Sequence, residues 1–147
     1  MANQQQLDLL KQGVAATWNV WREEHPDTSI TLNGVDLSEA NLGELNLAGA
    51  DLSQANLSRA DLNNANLSKA RLFQADLSGA NLVSVDLNAA DVSEANLSNA
   101  DLTDADLNHA NLLGANLNEA RLNWATLDGA LIIAEQLSKA RIGHDIL

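Results

Sequence analysis

Cysteine is absent from this 147-residue chain, so disulfide frameworks, thiolate metal sites and thiol nucleophiles are all excluded. Tyrosine is absent too, proline occurs once, and aromatic residues make up 3% of the sequence, so the core cannot be an aromatic one. Basic residues are scarce: 8 Lys and Arg stand against 20 Asp and Glu, for a formal charge of −12. A protein that binds nucleic acid by neutralising phosphates needs the opposite balance, so direct nucleic-acid binding is not expected. No run approaches the roughly eighteen apolar residues of a membrane-spanning helix, and no membrane insertion is expected. The first thirty residues carry Gln4 to Gln6, Asp8, Lys11, Arg22, Glu23 and Glu24 instead of a basic start followed by an apolar run. The expectation is a cytoplasmic protein.

What the chain has is Leu, Ile, Val and Phe at 39 of 147 positions, enough to fold, and a repeat. From Val35 to Gly129 the sequence reads as nineteen consecutive blocks of five, such as Ala50-Asp51-Leu52-Ser53-Gln54. With the fixed leucine as position i, eighteen of the nineteen (Leu37, Leu42, Leu47 and on to Leu127) are Leu, and Val92 is the exception. Position i−2 is Ala in sixteen blocks; Val35, Leu45 and Val85 differ. Position i−1 is Asp in eight and Asn in eight, broken by Arg71, Arg121 and Thr126.

A continuous α-helix makes no use of this period. Five residues advance about 500°, leaving successive leucines about 140° apart with no apolar stripe. A straight strand fails as well, because the next leucine, five residues on, points to the opposite face. The chain must turn once per block, with i−2 and i facing an interior and the other three positions facing out. The Asn, Asp, Ser and Gly that dominate the outward positions are turn residues.

Tandem A-(D/N)-L-x-x blocks over about two-thirds of the chain resemble the pentapeptide-repeat proteins. The resemblance implies an all-β solenoid: a right-handed quadrilateral β-helix, four blocks and so about twenty residues per coil, with coils about 4.8 Å apart. Nineteen blocks give nearly five coils. Residue n then lies above n−20, which stacks Leu37, Leu57, Leu77, Leu97 and Leu117 in one column and Leu52, Leu72, Val92, Leu112 and Ile132 in another. Among the i−1 columns, Arg71 falls between Asp51 and Asp91, Arg121 falls beside Asp101, and only Asp86 and Asp106 are adjacent like charges.

A stack of coils exposes backbone and apolar interior at its ends and needs caps. Residues Gln4 to Glu24 carry a helical stripe at Leu7, Leu10, Val14, Trp18 and Trp21, stopped by Pro26, and are expected to form one N-terminal capping helix, with a dimerising or partner-binding helix as the alternative. Past Ala130 the blocks weaken, although Leu137, Ile142 and Leu147 keep phase, and Ala134 to Ala140 read as a short C-terminal capping helix. The expected organisation is a cap over residues 1–28, the repeat over 29–133 and a second cap over 134–147.

No constellation of catalytic groups is visible. His25, His109 and His144 are isolated, serines such as Ser38, Ser58, Ser78 and Ser98 are turn residues, and there is no Gly-rich phosphate loop or calcium-binding nonapeptide. Catalytic, cofactor and metal sites are therefore not expected. The candidate interaction patch is Phe73, Leu113 and Ile133 in one i+1 column, with Trp124 (and Val83) on others, covered by the C-terminal tail or by another chain. The expected function is a non-enzymatic interaction or structural scaffold with an unidentified protein partner, monomeric or weakly dimeric. The resemblance implies an alternative, because some pentapeptide-repeat proteins mimic duplex DNA and modulate type II topoisomerase (gyrase). The repeat's 14 acids against Arg59, Lys69, Arg71 and Arg121 suit that idea; its leucines, where gyrase-binding members often carry Phe, and its short tail do not.

Overall fold

The computed structural model describes residues 2–143; His144 and Leu147 lie outside them. Eighteen parallel bridges join the repeat to itself, each linking a residue to the one twenty places on, from Thr31 with Asp51 to Arg121 with Arg141. They form four columns, which begin at Thr31, Asp36, Asn41 and Asn46. The chain therefore returns to the same side every twenty residues. Among the described residues the pairing is by single residues and not by extended strands, because most of each block is consumed in turning.

The block explains itself bond by bond. Leu57 N donates to Asp76 O at 2.7 Å and Asp76 N to Ala55 O at 2.9 Å, tying one circuit to the next. Ala60 N donates back to Leu57 O at 3.0 Å and closes the turn. The i−1 side chain supports that turn: Asp76 Oδ1 accepts from Ser78 N at 3.0 Å and Asn66 Oδ1 from Ser68 N at 2.9 Å. All twenty i+2 residues from Gly34 to Gly129 have positive φ, and fifteen of them are not glycine, with φ between 55° and 62°. Each such residue costs on the order of 1 kcal/mol, which the burial of one leucine, about 1.5–3 kcal/mol, outweighs. Leu47 to Leu122 at position i are at most 1% exposed, Val92 included, and the alanines at i−2 from Ala50 to Ala125 at most 5%. The interior is filled.

The N-terminal segment departs from the single helix expected. It forms α1 (Gln4–Lys11) and α2 (Ala15–Glu24), broken where Gly13 takes a φ of +67°. Val14 is consequently the residue before α2, 50% exposed, and not part of a buried stripe. Leu10 and Trp18 are buried, and Leu7 and Trp21 pack partly buried against the core. An unbroken helix of that length would run about 30 Å straight, whereas the break lets each half reach a different side of the first circuit. After Leu131 the chain forms α3 (Ala134–Leu137), shorter than expected, before Arg141 rejoins the bridge column of Arg121. Among the described residues no helix is long and apolar enough to cross a membrane.

Candidate interaction surfaces

The lateral faces are built from the i−1 and i+1 columns, and their carboxylates are largely occupied. At three of the four places where Asn stands above Asp, the amide donates down: Asn81 Nδ2 to Asp61 Oδ1 at 2.9 Å, Asn96 to Asp76 at 3.2 Å, Asn111 to Asp91 at 3.3 Å. Arg71 lies 3.7 Å from Asp51 and Arg121 3.4 Å from Asp101. Asp91 instead binds Ser93 and Asn111, so of the two acids flanking Arg71 only Asp51 pairs with it. The arginines are exposed and the aspartates half-buried, and such solvent-screened pairs contribute little stability. Asp86 and Asp106 bridge directly, each accepting from an asparagine N–H two residues on at 2.9 Å.

Two carboxylates titrate low. Asp36 is held below its ordinary value by the Ser38 hydroxyl, at 2.7 Å, and by the Ser38 N–H. For Asp51, partial burial pushes upward, but Ser53 and the Arg71 guanidinium together outweigh it and the net shift is downward.

Exposed large apolar side chains gather towards the C-terminal end. Leu113, Trp124, Leu131, Ile133 and Ile142 are 43–59% exposed. Phe73 is only partly buried, and Ser93 separates it from Leu113 in its column, so it stands apart from the Leu113 and Ile133 pair. Val83 is partly buried as well. Leu131 bridges Asn111 and so lies beside both members of that pair; the apolar cluster is Leu113, Leu131 and Ile133. Sequence reasoning missed Leu131, although an apolar residue twenty places after Asn111, in an Asp/Asn column, was its signal. Trp124 sits at a left-handed turn position, 59% exposed.

At the other end, side chains of α1 and α2 and the backbone of Asn3, which caps α1, take the place of a missing circuit. Thr31 N donates to Gln6 Oε1 at 2.9 Å, and Thr31 O accepts from Asn3 N at 2.8 Å. Asn46 N donates to Asn19 Oδ1, and Asn46 O accepts from Trp18 Nε1, both at 2.8 Å. Arg22 donates to Thr28 O and Ala48 O. At the top, Gln136 Nε2 donates to Leu112 O at 2.6 Å and Ala115 O at 2.8 Å. Gln136 is twenty places after Asn116, so its phase marks it; Gln6, Asn19 and Arg22 carry no comparable sequence signal.

His25 stacks on Trp21 with centroids 4.9 Å apart, and the His109 ring lies against Gly129 of the next circuit. Among the described residues no group of three or more His, Cys, Asp or Glu is placed to hold a metal ion.

Comparison with known proteins agrees with the repeat. The family model for pentapeptide repeats matches in eight copies, over residues 31–69, 65–104 and 95–131. A pentapeptide repeat protein of the Arabidopsis thaliana thylakoid lumen is 34% identical over 67% of this chain and 62% of its own, with a TM-score of 0.54; this chain thus spans about three-fifths of that relative. Rfr23, a pentapeptide repeat protein of the cyanobacterium Cyanothece 51142, is 29% identical over 90% of this chain and 99% of its own, with a TM-score of 0.69. QnrB1, a plasmid-mediated fluoroquinolone resistance protein, is 18% identical over 74% of this chain and 80% of its own, with a TM-score of 0.39. No functionally curated protein matches. Solved members of this family are right-handed quadrilateral β-helices. With the family model spanning Thr31 to Leu131 and the same twenty-residue pairing running through those residues, the chain belongs to the pentapeptide-repeat family.

Proposed function

We propose that this protein is a non-enzymatic interaction scaffold: a right-handed square barrel of about five coils, closed by α1 and α2 below and by α3 above, that engages another protein mainly through its ends. The observation that carries this reading is the distribution of apolar surface. Among the described residues the interior is filled by leucine and alanine, leaving no ligand chamber, whereas Leu113, Trp124, Leu131, Ile133 and Ile142 are exposed near one end and Val14 and Val20 at the other. Exposed apolar clusters rimmed by polar residues are the usual mark of protein contact. The test is photo-crosslinking in the cell of origin, with a crosslinking residue at Ile133, Val20 or, as a mid-barrel control, Ala89. Discrete adducts from the ends and none from Ala89 support the scaffold; no adduct from any position refutes it.

The alternative, a DNA mimic acting on a type II topoisomerase, draws support from the −12 charge. Against it stand the amide and arginine contacts to Asp51, Asp61, Asp76, Asp91 and Asp101, which blunt the field of those carboxylates. We place the scaffold first.

A further inference from the structure

We propose that the outward face of α1 and α2 is a docking groove for a basic amphipathic helix of a partner protein. The inference rests on the scaffold reading and names a site and a partner class for it. The inward side of the two helices carries their contacts to the barrel, through Gln6, Trp18, Asn19 and Arg22. A helix pair that only closed the barrel would need a polar outer face for solubility.

The outer face instead carries an apolar strip between polar margins. A groove of about 520 Å³ is lined by Leu9, Ala16, Thr17, Val20, Trp21 and Glu24. A second, of about 440 Å³, shares Leu9 and Trp21 with it and adds Gln5, Asp8 and Gln12. Val20 is 51% exposed, and the Trp21 ring, held by stacking on His25, offers a rigid aromatic edge of the kind that anchors interfaces.

Charge selects the occupant. The ionisable residues lining the two grooves are Asp8 and Glu24, and exposed Glu23 adjoins them; of the two basic residues on these helices, Arg22 is turned to the barrel and Lys11, exposed at the end of α1, acts on Asp36 and lines neither groove. A second copy docking through the same face would set these carboxylates against their own kind. A helix with an apolar stripe flanked by Lys or Arg complements both the groove and its rim.

The test uses the full chain and a fluorescein-labelled amphipathic Leu/Lys helical peptide, about 18 residues and so about 27 Å long, with a Leu/Glu peptide as control, read by anisotropy. Saturable binding of the Lys peptide is expected, with Ala16→Arg weakening it about tenfold or more and Ala89→Arg, an equal charge change on the barrel wall, changing it by less than about twofold. Circular dichroism monitors folding, and Val20→Lys serves if Ala16→Arg disturbs α2. Absence of saturable binding, equal weakening by both arginine variants, equal binding of the Glu peptide, or a protein dimer that Ala16→Arg dissociates would each overturn the proposal. Crosslinks at Ile133 alongside such a failure would remove the groove and leave the scaffold standing.

Discussion

Asn19 Oδ1 lies 2.8 Å from the backbone nitrogen of Asn46, a group that higher in the same column bonds to the preceding circuit. The same asparagine donates through Nδ2 to Glu44 O at 3.0 Å. One side chain thus satisfies both a donor and an acceptor of the lowest rung. Asn19→Ala is expected to destabilise the fold by about 1–2 kcal/mol, read as a lower denaturant midpoint with an unchanged slope. Stability equal to the parent's would show that the lowest rung needs no substitute partner.

Ala89 has φ 55° and is exposed, so it bears the left-handed strain without a compensating contact of its own. Ala89→Gly removes the Cβ that makes the conformation costly but adds freedom to the unfolded chain. The first effect is about 1–2 kcal/mol and the second about 0.5–1, so a net gain of about 0.5 kcal/mol is expected. Thermal melts would detect it, and a loss of stability would mean the strain is relieved by another route.

The depressed carboxyls Asp36 and Asp51 fix a sign for acid behaviour. A carboxyl whose folded value lies below its unfolded one, here 3.8, contributes stability that is fully present above that pH and lost as pH falls through the folded value. The melting temperature should therefore decline below about pH 4. The double variant Asp36→Asn, Asp51→Asn, which keeps an acceptor in each turn, should decline less steeply over the same window. Parallel pH curves for the two proteins would contradict this.

Acidity is also the basis of the DNA-mimic alternative, and dimension counts against it. Five coils span about 25 Å, while duplex advances about 34 Å per turn. No inhibition of gyrase supercoiling is expected at micromolar protein. Inhibition that weakens steeply with salt would put the alternative first.

The barrel was legible in the sequence because its constraint is local and repeated: the same demand recurs in nineteen blocks and is met by leucine at i in eighteen and by Asp or Asn at i−1 in sixteen. The ends were legible only in outline, because each residue there solves a problem that occurs once. Gly13 breaks a stripe whose spacing alone reads as continuous, and Val14 looks like a core residue until that break exposes it. The twenty-residue count would have picked out Leu131 and Gln136, both beyond the last clear block. The groove around Trp21 depends on how α1 and α2 meet, which no periodicity encodes.

Every surface assignment depends on which residues share a column, and the absence of cysteine makes that directly measurable. Ser58 and Ser78 are twenty residues apart, and neighbouring rungs about 4.8 Å apart suit a disulfide; Ser68, two blocks from Ser58, belongs to the opposite side. The measurement is the rate of disulfide closure, under mild oxidant, in Ser58→Cys/Ser78→Cys and in Ser58→Cys/Ser68→Cys. The twenty-residue circuit predicts rapid intramolecular closure in the first pair and none in the second, whereas equal rates, or a first pair that stays reduced, would contradict it.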